Sequence, residues 1–267
     1  MSKGVIDFHT HAFPDELAAR AMKALLEEAP GVKAYLDGTV SALMGSMDTA
    51  GIEKSVLCCI ATKPKQFEQI LNWCEQIRSE RIIPFPSVHP DDPQRMEHIE
   101  QVRKEGFKGI KLHPFYQDFY ADQEKMTAYY EKTCREGLML VMHTGYDIAF
   151  PRIRRADTKR ILSIKKKFPE LRLVTTHLGA WEQWDEVEEH LIGCNIYMEL
   201  SFAFGYLDAA RIRQMIVSHP EGYILFGSDS PWTSQIETLS LLRDLELPEQ
   251  LEKQILSDNA NRLLNLQ

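Results

Sequence analysis

The chain has 267 residues, of which 44% are hydrophobic and 26% are charged, and its formal net charge is −8. These values are ordinary for a globular protein, and they exclude the collagenous, disordered and disulfide-scaffold classes. An acidic chain without a basic stripe is also a poor partner for nucleic acid or an anionic membrane. A small molecule is therefore the expected ligand.

Five cysteines occur, and no two of them form a CxxC pair: Cys58, Cys59, Cys74, Cys134 and Cys194. An odd count without metal-binding spacing predicts reduced thiols, as in cytoplasmic proteins. Residues 1–8 lack the basic start and apolar core of a signal peptide. No apolar run reaches the roughly 18 residues that a membrane helix needs. We therefore expect a cytoplasmic protein.

In chain order, short apolar runs alternate with helix-length amphipathic segments. The apolar runs predict strands at residues 5–8, 55–60, 82–88, 109–113, 138–143, 171–177, 196–200 and 223–226. The amphipathic segments predict helices at 15–28, 40–50, 65–80, 94–105, 123–136, 158–167, 181–191, 208–218, 234–244 and 248–264. Pro14 precedes the first of these helices and Gly51 follows the second, as is typical of helix ends.

The alternation of strands and helices predicts a parallel sheet. Each crossover helix lies outside the sheet and returns the chain to the end where the previous strand began. Eight strands in a chain of this length favour a closed barrel over an open sheet. The prediction is an α/β fold, a single (β/α)₈ TIM barrel with additional C-terminal helices. One domain would span residues 1–267.

The first strand ends in the segment Asp7-Phe8-His9-Thr10-His11. His9 and His11 are two residues apart, so in a strand their side chains point to the same side. Two imidazoles at the carboxyl end of a strand can bind one divalent ion together. Pairs of histidines with this spacing also occur as ordinary surface or turn residues.

Three further strands each end in one chemically active side chain. His143 follows the fifth strand, His177 the sixth and Asp229 the eighth. Barrel enzymes assemble their active sites at the carboxyl ends of the strands. Each residue alone could be a hydrogen-bonded loop residue, but their coincidence with His9 and His11 favours a catalytic site.

These strand-end motifs, together with the closing segment Asp258-Asn259-Ala260-Asn261-Arg262-Leu263-Leu264, resemble the amidohydrolase superfamily. Within it, the chain is similar to the amidohydrolase-related branch, which contains small hydrolases and aromatic-acid decarboxylases. The resemblance covers essentially the whole chain. Its motifs are specific for the superfamily and do not specify a substrate.

The resemblance implies a role for each strand-end residue. His9, His11 and His143 would bind a divalent metal. Asp229 would bind the metal too and act as the general base, while His177 would orient or protonate water or substrate. These roles agree with the chemistry, because a metal lowers the pKa of bound water and an adjacent carboxylate can accept its proton.

A nitrogen and oxygen ligand set without thiolate suits Zn²⁺, with Mn²⁺, Fe²⁺ or Co²⁺ as alternatives. Glu199, inside the seventh strand, is a candidate for hydrogen-bonding a ligand histidine. Lys111, at the end of the fourth strand, leaves the metal count open. Binuclear superfamily members place a carboxylated lysine there to bridge two metals, whereas in a one-metal site Lys111 would bind a substrate carboxylate or neutralise Asp229. We expect one ion, because a lone lysine does not demonstrate carboxylation.

Five residues are candidates for substrate binding: Lys111, His113, Tyr116, Arg152 and Trp232. His113 shares a strand face with Lys111, although an ordinary loop histidine is an equal alternative. Tyr116 belongs to an aromatic group that could form a pocket wall or pack locally. Arg152 could clamp an acidic substrate or belong to a solvated charge run. Trp232 could shape the pocket beside Asp229.

Two enzyme activities fit this site. A hydrolase would use activated water on an amide, lactone or ester of a small acidic substrate, with Asp229 taking the proton. A non-oxidative decarboxylase, or a hydratase, of an aromatic or unsaturated acid would use Asp229 and His177 to deliver a proton to carbon. We expect the hydrolase and keep the decarboxylase as its alternative. A barrel that binds ligand without turnover is disfavoured by the complete set of ligands and base. The oligomeric state is left open, with a homo-oligomer among the options.

Overall fold

The computed structural model describes residues 4–266. Their contacts divide them into two compact units, which are described in turn. The first unit contains the described part of Met1–Leu57, Ile77–Ile83 and Glu199–Gln267, and the second contains Cys58–Gln76 and Pro84–Met198. No helix in residues 4–266 combines the length and the apolar character that crossing a membrane requires.

Eight strands occur in the described chain, in the predicted order. They are β1 Val5–Thr10, β2 Ile52–Cys58, β3 Ile82–Phe85, β4 Gly109–Leu112, β5 Met139–Met142, β6 Arg172–Thr175, β7 Tyr197–Glu199 and β8 Ile224–Leu225. The α-helices are α1 Asp15–Glu28, α2 Val40–Ala50, α3 Phe67–Ile77, α4 Arg95–Lys104, α5 Met126–Arg135, α6 Thr158–Lys167, α7 Trp184–His190, α8 Ala209–Ser218, α9 Gln235–Arg243, α10 Glu249–Lys253 and α11 Asn259–Leu264. Each predicted strand therefore has a counterpart.

In the first unit, β1 has hydrogen-bonded neighbours on both sides. It pairs in parallel with β2 on one side. On the other side the N–H of Phe8 donates to the carbonyl of Phe226, just after β8, at 2.8 Å. The side chains of Ile6 and Phe8 are almost completely buried. Hydrogen bonds along both edges of β1, together with the burial of Ile6 and Phe8, fix the strand that carries His9.

The C-terminal segment differs from the single helix predicted at 248–264. A π-helical turn, Gln254–Asp258, separates α10 from α11. The carbonyl of Ile255 in this turn accepts the backbone N–H of Phe226 at 3.1 Å. Asn259 then donates to the carbonyl of Ile224 at 2.8 Å. The wider turn and the Asn259 amide thus hydrogen-bond the backbone at the end of β8, where a regular helix would keep its carbonyls within itself.

The second unit contains four parallel strands in the order β4, β5, β6 and β7. The N–H of Lys111 in β4 also donates to the carbonyl of Pro86, which follows β3, at 3.0 Å. Every residue of β4 and β5 is buried. Parallel strands covered on both faces are continuously apolar, which explains the apolar run of β5.

Helix α7 begins later than the predicted start at residue 181. Trp181 instead pairs through its backbone with the loop after β5: its N–H donates to Thr144, and its carbonyl accepts from Tyr146. Gly145 makes this close pairing feasible, because its φ is +90° and an added Cβ would lie 2.2 Å from the nitrogen of Trp181. This backbone pairing fixes the loop that follows His143.

Candidate metal centre

Three side chains of the first unit converge on one point. Nε2 of His9 lies 3.0 Å from Nε2 of His11. Oδ1 of Asp229 lies 3.4 Å from Nε2 of His9 and 3.1 Å from Nε2 of His11. Metal–ligand bonds of about 2.1 Å separate adjacent ligand atoms by about 3.0 Å in octahedral and 3.4 Å in tetrahedral geometry. These three atoms, which we call the triad, therefore fit one divalent ion.

Asp7 connects β1 to the loop that carries Asp229. The N–H of Ser228 donates to Oδ1 of Asp7 at 2.9 Å, and the Ser228 hydroxyl donates to Oδ2 at 2.6 Å. Gln235 donates to Oδ2 at 2.8 Å. Burial raises the pKa of Asp7 to about 6, while the bonds from Gln235 and Ser228 oppose that rise. Asp229 has a left-handed φ of 64°, a conformation that is costly outside glycine and that this network holds in place.

Glu199 fixes the ring of His9. Oε1 of Glu199 lies 3.0 Å from Nδ1 of His9. The other oxygen, Oε2, accepts the N–H of Ser201 at 2.7 Å. A carboxylate at Nδ1 places the ring proton there and leaves the Nε2 lone pair on the triad side. The prediction that Glu199 hydrogen-bonds a proposed ligand histidine is confirmed.

Gly227 provides the space that Glu199 occupies. A Cβ added at Gly227 would lie 2.1 Å from Oε2 of Glu199. Any side chain at this position would push the carboxylate away from His9. The glycine in the segment Phe226-Gly227-Ser228 is thus required by a close approach rather than by a positive φ.

The second unit holds a cluster of three histidines and one aspartate, His113, His143, His177 and Asp147, which we call the histidine cluster. Nε2 of His177 lies 3.1 Å from Nδ1 of His143. The rings of His113 and His143 stack, with centroids 4.2 Å apart and planes inclined by 17°. Burial lowers the pKa of His143 to about 3, so that ring is neutral. His177, like Asp229, has a left-handed φ, 59°.

Asp147 was not among the predicted residues. Its Oδ2 lies 3.3 Å from Nε2 of His113 and 3.5 Å from Nε2 of His143. Burial raises the pKa of the Asp147 carboxyl, but the neighbouring imidazoles outweigh it and hold that pKa well below its usual range. The sequence places Asp147 four residues after His143, in an irregular loop, where spacing does not predict side-chain direction.

The remaining predicted site residues lie in different environments. Lys111 is completely buried within β4. Tyr116 packs edge-on against the ring of His113, with centroids 4.8 Å apart. Arg152 is 63% exposed and pairs with Glu182. Its guanidinium also lies over the ring of Tyr146.

Trp232 follows Asp229 by three residues and is half-buried. Its N–H donates to the carbonyl of Asp229 at 2.9 Å. In the first unit, the structure thus brings together His9, His11 and Asp229. In the second it brings together His143, His177 and His113, with Tyr116 beside them. The substrate-binding roles predicted for Lys111, His113, Tyr116, Arg152 and Trp232 stay predictions.

The chain is similar to known proteins in both sequence and fold. The family model described as amidohydrolase matches residues 6–266. No curated protein matches the chain. An uncharacterized TIM-barrel protein from Bordetella bronchiseptica is 20% identical, with a TM-score of 0.78 over 98% of each chain.

Two decarboxylases are also similar in structure. The first, 5-carboxyvanillate decarboxylase from Sphingomonas paucimobilis, is 15% identical, with a TM-score of 0.74 over 98% of this chain and 99% of that one. The second, a dihydroxybenzoic acid decarboxylase from a Polaromonas species with bound manganese and 2-nitroresorcinol, is 15% identical, with a TM-score of 0.72 over 99% and 97%. At these identities the likeness establishes the fold alone.

The predicted fold class, an α/β TIM barrel with parallel strands and additional C-terminal helices, is confirmed by these neighbours. The family model spans nearly the whole chain, and the resemblance expected from the strand-end motifs is confirmed with it. This chain therefore belongs to the amidohydrolase family, and it is an enzyme of that superfamily.

Proposed function

We propose that the chain is a metal-dependent hydrolase that acts on an amide, lactone or ester of a small acidic substrate. One observation carries the proposal: Nε2 of His9, Nε2 of His11 and Oδ1 of Asp229 lie 3.0 to 3.4 Å from one another. When bound there, a divalent ion supplies Lewis acidity and lowers the pKa of coordinated water. Zn²⁺ suits this set of ligands, and Mn²⁺, Fe²⁺ or Co²⁺ would suit it too.

The chain's own residues have distinct tasks in this proposal. Glu199 holds His9 with its Nε2 lone pair toward the ion. Asp229 accepts the proton from the attacking water and returns it to the leaving group. The Asp7 network keeps the Asp229 backbone in the left-handed conformation that turns its carboxylate toward His9 and His11.

The family resemblance adds two assignments. His143 would be a further ligand of the same ion, and His177 would orient water or donate a proton to the substrate. Lys111 would be a ligand only if carboxylated in a two-metal site. The proposal is for one ion, with Lys111 as a cation that binds a substrate carboxylate. The further proposed substrate contacts are His113, Tyr116, Arg152 and Trp232.

Metal analysis tests this proposal directly. Protein purified without chelator is expected to hold about one divalent ion per chain, and His11→Asn is expected to lose most of it. His190→Asn is the matched control, because His190 lies on α7 and pairs with Glu189. Asp229→Asn should abolish turnover. A well-folded wild-type protein that binds none of Zn²⁺, Mn²⁺, Fe²⁺ and Co²⁺ would overturn the proposal.

A non-oxidative decarboxylase is the second candidate, and the comparisons favour it specifically. Two of the structures similar to this chain are decarboxylases of aromatic acids, one with bound manganese. In that reaction Asp229 and His177 would deliver a proton to the carbon that loses carbon dioxide. Incubation with hydroxybenzoates, dicarboxylates and lactones separates the candidates, since released carbon dioxide indicates a carboxy-lyase and ring opening or a new carboxylate indicates a hydrolase.

A further inference from the structure

The histidine cluster contains a carboxylate to which neither proposed activity assigns a role. Asp147 is held by the backbone, because the N–H of Ala149 donates to its Oδ1 at 2.8 Å. This bond to the residue two positions ahead is an Asx turn, and it leaves Oδ2 directed at the imidazoles. Oδ2 lies 3.3 Å from Nε2 of His113 and 3.5 Å from Nε2 of His143.

The hydrogen bonds of His143 fix which of its nitrogens carries the proton. Its Nε2 lies 2.8 Å from the carbonyl oxygen of Tyr146. A carbonyl oxygen only accepts, so Nε2 of His143 must be the donor. In a neutral ring the lone pair is then on Nδ1, the atom 3.1 Å from Nε2 of His177.

His113 is oriented in the same sense. The N–H of Tyr116 donates to Nδ1 of His113 at 3.5 Å, which places the ring proton on Nε2. The Nε2–H of His113 therefore faces Oδ2 of Asp147 at 3.3 Å. The Nε2–H of His143 donates to the Tyr146 carbonyl, and Nε2 of His143 also lies 3.5 Å from Oδ2 of Asp147. The negative charge of Asp147 beside both Nε2 atoms favours the Nε2–H tautomers. A cation bound to the same nitrogens would instead require both neutral rings to carry their proton on Nδ1.

We propose that Asp147 is a positioning residue that, with the Tyr146 carbonyl, holds the Nε2–H of His143 so that the ring presents Nδ1 toward His177. In the metal site that the family resemblance implies, His143 would then be a ligand through Nδ1. The part of this inference that concerns metal rests on the proposed function. The part that concerns the proton position rests on the geometry of the second unit alone.

The proton position is tested without any ion. Long-range ¹H–¹⁵N correlation spectra of metal-free protein with ¹⁵N-labelled histidine distinguish the two tautomers, and His143→Gln identifies the His143 signals by their loss. We expect the Nε2–H tautomer for His143. An Nδ1–H tautomer in the wild-type protein would overturn the inference, whatever the variants do.

The effect on metal binding is measured with Co²⁺ alone, by competition with a chromogenic chelator. Asp147→Asn is expected to weaken Co²⁺ binding about 10- to 100-fold, as loss of an outer carboxylate does at other sites, and to change the visible Co²⁺ spectrum. Asp147→Glu keeps the charge and should recover part of the affinity. Asp157→Asn is the matched control: Asp157 is also a buried carboxylate, but it caps α6 and should leave Co²⁺ binding unchanged.

Each alternative outcome has a distinct meaning. Asp147→Asn affinity within twofold of wild type would overturn the positioning role. If Asp147→Asn lost a Co²⁺ equivalent that His11→Asn retained, His113, His143 and Asp147 would be a separate cation site and the inference would be wrong. If the wild-type protein bound no Co²⁺ or other divalent ion, the proposed function would fail, while the tautomer measurement would still decide the geometry. If Asp147→Asn did not fold, the Co²⁺ affinity of Asp147→Glu and the ¹H–¹⁵N spectrum of the wild-type protein would decide the positioning role.

Discussion

Ser228 and Asp7 are joined by two hydrogen bonds across 221 positions of sequence, one from the Ser228 N–H and one from its hydroxyl. Asp7 precedes His9 by two residues, and Ser228 immediately precedes Asp229. The two bonds therefore hold β1, which supplies His9 and leads directly into His11, against the loop that supplies the triad carboxylate.

Replacing Asp7 with alanine should loosen that loop. Ser228 and Gln235 would each keep a buried donor without its present acceptor, which costs about 2 kcal/mol or more in the free energy of unfolding. Urea unfolding at neutral pH measures this loss. Asp244→Ala, at an exposed position after α9, is the control and should change the free energy by less than about 0.5 kcal/mol. Equal stability of the two variants would contradict the role given to Asp7.

Glu199→Gln tests the support of His9. Glutamine has the same shape but no charge, so it polarises the His9 ring less than the carboxylate does. We expect metal affinity to fall about 10- to 100-fold while the fold is retained. Ser201→Ala removes a hydroxyl that donates to the same carboxylate at 2.8 Å and lies 3.3 Å from Nδ1 of His9. It keeps the carboxylate beside the ring, so its effect should be smaller. Unchanged affinity in Glu199→Gln would rule out this support.

Gly227→Ala should displace the Glu199 carboxylate through its other oxygen, Oε2. The new methyl group would lie within 2.1 Å of Oε2 of Glu199, so the side chain must move away from His9. The expected result is loss of metal affinity together with about 1–3 kcal/mol of destabilisation. Gly205→Ala is the matched control, because its Cβ would meet no atom within 4 Å. Calorimetry and metal titration of both variants check the contrast.

The ion pair between Arg154 and Glu186 gives a pH-dependent prediction. The Arg154 guanidinium, bonded to both oxygens of Glu186, holds the pKa of that carboxyl below its usual value of 4.5. A lowered carboxyl pKa contributes stability that is present above pH 4.5 and is lost as the pH falls through the folded-state pKa.

Glu186→Gln should therefore be less stable than wild type at pH 7, by about 0.5 kcal/mol because both side chains are partly exposed. The two proteins should converge in stability as the pH falls from 4.5 through the lowered folded-state pKa of Glu186. Thermal unfolding from pH 3 to pH 7 measures the difference, and a gap that stays constant across that range would contradict the assignment.

Much of the fold and of the triad could be predicted from the sequence, because both depend on local patterns. Apolar runs located each strand, and the two-residue spacing put His9 and His11 on one face. The π-helical turn at Gln254–Asp258 could not be predicted, because it depends on the hydrogen bond from the N–H of Phe226 to the carbonyl of Ile255. A tertiary contact determines it, and the local sequence is an ordinary helix former.

The same distinction separates His143 from Asp147. His143 ends an apolar strand, so its position at the strand end followed from the pattern. Asp147 lies in an irregular loop, and its direction depends on the Asx turn with Ala149 and on the pairing of Gly145 with Trp181. Loop geometry of this kind has no periodicity, so a sequence pattern carries no information about it.

The bonds between Asp7 and Ser228 also bear on how the protein is made. The two residues are 221 positions apart, so His9 and His11 leave the ribosome long before the carboxylate that completes the proposed ion site. Contacts of such high sequence separation form late and fold slowly. A nascent chain that ends before Asp229 would carry His9 and His11 with an incomplete set of ligands. Metal loading is therefore expected to follow synthesis rather than accompany it.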